Sequence, residues 1–362
     1  MRLEDIDPNF KITTTLDEPD MEWYDPRKAP LALHGVYYNE EHGQYMRLPW
    51  SVSEKFDGGS MNHGITYCQV KTAGGRVRFR TDSSFIALFI KSPGGPSASH
   101  MAKTCKSGFD LYRRLDGQER EYYVNTFIPP IQTIEEYTLS FPLDGQMADY
   151  TINMPLYDQV YDFYIGLKKD AKVEPVAVAY RNEKPVVFYG SSITQGGCAS
   201  RPGTAYEAMI SRQFNLDYIN LGFSGNAKGE PELAEYIASL PMEAFVCDYD
   251  HNAPSLEHLQ KTLPGFYRII REKHPDLPVI FITKPDILIK PEACTPRRDF
   301  IRSVYEEAKA RGENVYFIPG EELFEGDNWD DCTVDRTHPN DLGFYRMAKR
   351  IGAELAIALN LE

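Results

Sequence analysis

The residues that could do chemistry sit in short clusters in the second half of the 362-residue sequence. Gly190-Ser191-Ser192-Ile193-Thr194-Gln195-Gly196 places serines just after the apolar run Val186-Val187-Phe188-Tyr189. A serine on a tight turn between a strand and a helix is well exposed as a nucleophile, and nearby backbone N–H groups can hold an oxyanion. Asn220-Leu221-Gly222-Phe223-Ser224-Gly225-Asn226 and Asp248-Tyr249-Asp250-His251-Asn252 begin within or just after two further apolar runs and add amides, carboxylates and an imidazole. Asp335-Arg336-Thr337-His338-Pro339 places a carboxylate three residues before an imidazole that it could orient as a general base. Nucleophile, base, orienting acid and amide donors are the parts of an acyl-transfer site. Taken singly, each cluster reads equally well as a turn, a helix cap or a loop hydrogen bond.

The elements that must bring them together are legible in the spacing. Residues 183–362 alternate strand-like runs with helical stretches. The runs are Val186–Tyr189, Tyr218–Leu221, Ala244–Cys247, Val279–Ile282 and Val315–Ile318. They recur roughly every 26–36 residues, the pitch of βα units in a parallel sheet. Leu256, Leu259, Leu263 and Phe266, and later Phe344, Ala348, Ile351, Leu355 and Ala358, recur with helical period. Thr295-Pro296 predicts a helix start and Gly312 its stop, while Pro264-Gly265 predicts a kink or break. An open α/β sheet binds ligands at the carboxyl ends of its strands, where the clusters lie.

Residues 1–182 read differently. Arg76–Lys91 alternates, Leu111–Val124 forms a hairpin through Asp116-Gly117, and Tyr137–Phe141 and Phe163–Leu167 are further strands. Gly and Pro punctuate them, which predicts an antiparallel β-sandwich or jelly roll. Residues 92–99 (SPGGPSAS) are the most loop-like stretch. The aromatics Trp23, Trp50, Tyr37, Tyr38, Tyr122 and Tyr123 suit either a core or a sugar-binding face.

Composition narrows the function. Lys plus Arg is 39 against 53 for Asp plus Glu, a net charge of −14 that disfavours nucleic acid as a partner. No apolar run approaches the ~20 residues of a membrane span, and Met1–Asp7 lacks a signal-peptide pattern, so a cytoplasmic location and no membrane partner are expected. Cys68, Cys105, Cys198, Cys247, Cys294 and Cys332 are scattered, without zinc or disulfide spacing. No phosphate loop or dinucleotide fingerprint is present.

The ordered set resembles the SGNH hydrolases, the GDSL-type lipase/esterase family. Gly190-Ser191-Ser192-Ile193 is similar to the GDS(L/I) block with Ser191 in place of its acid. Gly225 stands at the second-block glycine, Asn252 at the third-block asparagine, and Asp335-x-x-His338 at the last block. Gly108-Phe109-Asp110-Leu111-Tyr112 resembles the G-x-D-L-Y motif of the β-sandwich domain that precedes a subgroup of these hydrolases. The resemblance implies a two-domain α+β chain, with an N-terminal antiparallel, jelly-roll-like sandwich over 1–182. A three-layer α/β/α, flavodoxin-like hydrolase domain with a five-stranded parallel sheet would occupy 183–362. It implies Ser192 as nucleophile, His338 as base and Asp335 as its orienting acid. The Ser192 and Gly225 N–H groups and the Asn252 side chain would form the oxyanion hole, with neither metal nor cofactor. The third block departs from G-x-N-D, which leaves Asn226 as the alternative amide, and His251 reads as a loop histidine. The expected activity is hydrolysis of short acyl esters, acetyl above all, on a carbohydrate or small metabolite. An acyltransferase using the same serine and a non-catalytic carbohydrate-binding protein are the alternatives. Trp329 either walls the pocket or anchors its loop, and a homo-oligomer stays open.

Overall fold

The computed structural model describes residues 20–57, 64–93, 98–130 and 135–361. Met1–Asp7 and residues 94–97 of the loop-like stretch lie outside them. The described residues form two compact units. One holds residues 20–47, 70–179 and 201–203, and the other 48–69, 180–200 and 204–361. Sequence spacing suggested a single cut near Asn182. The units divide after Ala179, and residues 48–57 and 64–69 lie with the second one.

The first unit is a sandwich of antiparallel sheets. Its strands are β1 (Met21–Tyr24), β2 (Ala32–His34), β3 (Tyr37–Asn39), β4 (Gln44–Met46), β5 (Arg76–Thr81), β6 (Phe85–Lys91), β7 (Phe109–Arg114), β8 (Tyr122–Phe127), β9 (Glu136–Pro142), β10 (Ala148–Asn153), β11 (Asp162–Lys168) and β12 (Val173–Glu174). One sheet runs β1-β11-β6-β9 and the other β12-β5-β10-β7-β8, with β2 added to β5 and β3-β4 as a separate hairpin. The Arg76–Lys91 stretch therefore crosses from one sheet to the other between β5 and β6. Val77, Phe79, Ile86, Leu88, Ile90, Phe163 and Ile165 meet in one core drawn from both sheets. Arg76 and Arg78, on the opposite face of β5, are also buried. Arg78 is accommodated because it donates to Thr151 Oγ1, Glu121 and the Val178 carbonyl.

The G-x-D-L-Y segment is structural here. Asp110 is fully buried and accepts from Asn153 Nδ2 at 2.8 Å, Arg201 Nη1 at 3.0 Å and the Gly203 N–H at 2.7 Å. Leu111 enters the core, and the Tyr112 hydroxyl accepts from Arg201. Of the aromatics noted above, Trp23 stands edge-on to Phe89 and Tyr38 to Tyr45, while Tyr122 and Tyr123 are exposed. Trp50 begins a helix of the second unit, α1 (Trp50–Asp57), which is followed there by α2 (Gly64–Gln69). The first unit also carries the short α3 (Lys103–Ser107).

The second unit is a three-layer α/β/α domain. Five parallel strands, β13 (Val186–Gly190), β14 (Tyr218–Gly222), β15 (Ala244–Asp248), β16 (Val279–Ile282) and β17 (Val315–Ile318), run in the order β14-β13-β15-β16-β17. Both faces of the sheet are covered, so β13, β15 and β16 are buried throughout and read as unbroken apolar runs. The helices are α4 (Tyr206–Phe214), α5 (Pro231–Ser239), α6 (Leu256–Lys273), α7 (Pro291–Ala310) and α8 (Asp341–Ala358). Residues of α5, α6 and α7 join one core with Val187, Tyr189, Phe245 and Phe281, while Tyr206 of α4 stacks on Phe344 of α8 and meets Phe188 edge-on. None of these helices is long and apolar enough to cross a membrane.

A helix start at Thr295 and a helix break at Pro264 do not occur, for identifiable reasons. α7 starts at Pro291 rather than Thr295, because Pro291 already supplies a proline at the first helical position and Pro296 falls inside the helix. α6 runs through Pro264 without a break. Its buried stripe, Leu259, Leu263, Phe266, Tyr267 and Ile270, holds the helix together across the missing N–H. Pro264 is itself exposed. Pro264→Ala is therefore expected to stabilise the protein against urea by about 1–3 kcal/mol, and a lower stability would contradict this account of α6.

Candidate active site

The strand order reverses around β13, so the crevice of the sheet opens beyond the carboxyl ends of β13 and β15. The serine turn leaves β13 there. Ser191 Oγ accepts from the Ile193 N–H, and the Gly197 N–H bonds to the Ser192 carbonyl at 2.7 Å. The turn lies against the neighbouring strand ends so closely that two glycines are required. A Cβ on Gly190 would lie 2.1 Å from Thr194 Oγ1, and one on Gly222 would lie 2.2 Å from the Gln195 nitrogen. Asn220 Nδ2 donates to the Thr194 carbonyl at 2.6 Å, and Gln195 Oε1 accepts from the Ser224 N–H at 3.0 Å. These two amides fasten the turn to the loop after β14.

Ser192 Oγ lies 2.9 Å from His338 Nε2, and His338 Nδ1 lies 2.8 Å from Asp335 Oδ2. Residues 146 positions apart in sequence thus form one hydrogen-bonded chain with a carboxylate at its far end. The other Asp335 oxygen accepts the Thr337 and His338 N–H groups at 3.1 and 2.8 Å, so the carboxylate shapes its own loop. Burial alone would raise the Asp335 carboxyl, but the His338 backbone N–H and imidazole outweigh it and hold it below its usual value. Its side chain is still 37% exposed. Asn340, the cap of α8, accepts from the Leu342 and Gly343 N–H groups and fixes where the loop ends.

The candidate oxyanion donors occupy the next two loops. Gly225 has φ +72°, and a Cβ there would meet nothing within 4 Å. Asn252 Nδ2 donates one bond, at 2.8 Å, to the Phe223 carbonyl in the Gly225 loop. The Asn226 amide donates to the Ser224 carbonyl at 2.6 Å and reaches Cys68 Sγ at 3.5 Å. His251 is buried, and burial lowers its pKa. Burial pushes the Cys198 thiol up to about 12, with the Asp335 charge adding to the shift, so it carries no thiolate at neutral pH. Trp329 is 36% exposed in its loop.

Several groups that shape the site were not singled out in the sequence. Asp248, at the end of β15, accepts from Thr194 Oγ1 at 3.1 Å, and burial raises its carboxyl to about 7. Asp250 takes Arg297 Nε at 2.6 Å, and the same guanidinium donates to the carbonyls of Asp250 and Ala253, clasping the turn that carries Asn252. The Asp248-x-Asp250 spacing was visible in the sequence. Its partners on the serine turn and α7 were not.

Two family models match the chain. Residues 183–356 match the GDSL-like Lipase/Acylhydrolase family, and residues 21–173 match the N-terminus of Esterase_SGNH_hydro-type. The chain belongs to the GDSL-type SGNH hydrolases. The solved structures similar to this esterase include a protein described as a GDSL-like lipase from Bacteroides ovatus. It is 28% identical, with a TM-score of 0.81 over 94% of this chain and 99% of that one. The salicylyl-acyltransferase SsfX3 from a tetracycline biosynthetic pathway is 21% identical, with a TM-score of 0.72 over the same shares. An acetyl xylan esterase from the rumen bacterium Butyrivibrio proteoclasticus shares the fold at 13% identity and a TM-score of 0.57, covering 94% of this chain and 99% of that one. No curated protein matches the chain.

Because backbone atoms meet the added methyl at Gly222, Gly222→Ala is expected to lower stability by about 1–3 kcal/mol, read as an earlier thermal or urea transition. An unchanged transition would show that the serine turn is not fastened to β14 as described.

Proposed function

We propose that this hydrolase is a serine esterase for short acyl esters, acetyl esters above all, carried on a carbohydrate or small metabolite. The observation that supports it most directly is the Ser192–His338–Asp335 hydrogen-bonded chain, with bonds of 2.9 and 2.8 Å. Ser192 attacks the ester carbonyl while His338 Nε2 takes its proton. His338 then returns the proton to the leaving alcohol, and water repeats the sequence on the acyl-enzyme. Asp335 accepts a hydrogen bond from Nδ1–H, fixes the tautomer and stabilises the imidazolium. The negative charge that develops on the carbonyl oxygen is met by the backbone N–H groups of Ser192 and Gly225. The second Asn252 Nδ2 proton, which the Phe223 carbonyl does not take, completes the set.

The rim of the site bears on the acyl size. Asp335 is 37% exposed, so the His338 side of the site meets water rather than an apolar wall. The net charge of −14 also disfavours anionic lipid surfaces. Both fit a small, hydrated ester better than a long chain. The same acyl-enzyme would serve a transferase if an alcohol replaced water, and product analysis with and without an added alcohol separates the two outcomes.

Ser192→Ala is expected to abolish p-nitrophenyl acetate hydrolysis and fluorophosphonate labelling in a folded protein, and full activity would refute the nucleophile. Asn252→Ala is expected to lower turnover at least about tenfold. An unchanged rate would move that donor to Asn226 or remove it. A panel of acetylated sugars against short and long p-nitrophenyl esters tests the acyl preference, and faster turnover of the long esters would overturn it.

A further inference from the structure

The Asp335–His338 loop is largely self-contained. Its N–H groups return to its own side chains, and Val334 N–H bonds to the His338 carbonyl at 2.9 Å. Among the described residues, positions 334–337 make one hydrogen bond outside the loop, from Lys290 Nζ to Thr337 Oγ1 at 2.9 Å. Lys290 caps α7 and also donates to Asp286 Oδ2 at 3.0 Å. Asp286 lies in the 3₁₀ turn Pro285–Leu288 that follows β16, and its side chain is 1% exposed. Its second oxygen faces Cys294 Sγ at 3.7 Å and His251 Nε2 at 3.3 Å, the latter too oblique for a hydrogen bond. His251 immediately precedes Asn252.

A carboxylate this deep needs partners of opposite charge or hydrogen-bond donors. Burial alone would raise the Asp286 carboxyl, but its charged and hydrogen-bonding neighbours, Lys290 and Lys284 among them, outweigh it and hold it well below the usual range. Asp286 therefore stands ionised between the two loops that carry the proposed general base and the proposed amide donor. Lys290, 42% exposed, carries the connection to the outer one.

We propose that Lys290 and the buried carboxylate of Asp286 are positioning residues that anchor the Asp335–His338 loop to the turn beyond β16. The proposal rests on the esterase reading above. Neither residue is placed on the substrate. Lys290 acts through Thr337, one residue before His338, and fixes the direction from which Nε2 meets Ser192. A displacement of about 1 Å at such a base costs up to about a hundredfold in rate.

The test compares Lys290→Met, Thr337→Val, the double variant and Lys290→Arg in the full chain. The readouts are kcat and KM for p-nitrophenyl acetate and hydrogen exchange of the amides of residues 333–340. Lys290→Met and Thr337→Val are each expected to lower kcat about tenfold or more with little change in KM. The double variant is expected to be no worse than Lys290→Met alone, because that substitution already removes the bond to Thr337. Lys290→Arg, which keeps a cationic donor, is expected to restore most of the rate, and the loop amides are expected to exchange faster in Lys290→Met. Unchanged kcat, additive losses, or unchanged exchange would each overturn the anchor. Should Ser192→Ala remain active, the esterase reading fails, while the exchange result still decides whether Lys290 holds the loop.

Discussion

The serine turn is packed against two strand ends that have no space for a side chain. The close approaches at Gly190 and Gly222 let the Thr194 hydroxyl reach Asp248, the Asn220 amide reach the Thr194 carbonyl, and Gln195 hold the Ser224 N–H. Each of these contacts fixes the turn from a different side. The direction of Ser192 Oγ, and hence its 2.9 Å approach to His338, is a consequence of this packing at the carboxyl edge of the sheet. A preorganised turn matters because groups already in place need not reorganise as charge develops on the substrate.

Buried carboxylates recur around this edge, each used differently. Asp248 binds the serine turn through a hydroxyl, and burial raises its carboxyl to about 7. Asp250 is paired with Arg297, whose fork also reaches the Asp250 and Ala253 carbonyls and so braces the turn that presents Asn252. Asp286 is paired with Lys290. Two of the three partners come from α7 or its cap, which gives that helix a part in the site although none of its residues is placed on the substrate. Removing one member of such a buried pair is far more costly than its net contribution, because the other charge stays behind.

In the first unit the same rule of satisfied burial explains a motif that looks chemical in sequence. Asp110 is a carboxylate in a conspicuous G-x-D-L-Y setting, yet its oxygens are occupied by Asn153, Arg201 and Gly203. Leu111 belongs to the core. The motif specifies how β7 is held rather than what it reacts with, and the buried Arg78 does comparable work on β5.

The sequence by itself determined the α/β character of the second half, because strands covered on both faces must be continuously apolar and their spacing leaves room for crossover helices. It also offered clusters next to strand ends and a helix start, within which the resemblance to the SGNH hydrolases singled out Ser192, Gly225, Asn252, Asp335 and His338 as candidates. The start of α7 was misjudged because Pro291 suits a first helical position as well as Pro296 does, and the break at Pro264 because packing of a buried stripe outweighs the missing N–H. Residues 48–69 were assigned by position to the first half, but their apolar side chains Leu48, Ile65 and Cys68 join the core of the second unit. Only the tertiary structure separated the two candidate amides, because Asn226 and Asn252 differ in their partners rather than in type. It alone showed the roles of Asn220, Arg297, Asp286 and Lys290. Those roles depend on contacts between loops far apart in sequence, whose distances are set by the sheet and not by the spacing of residues along the chain.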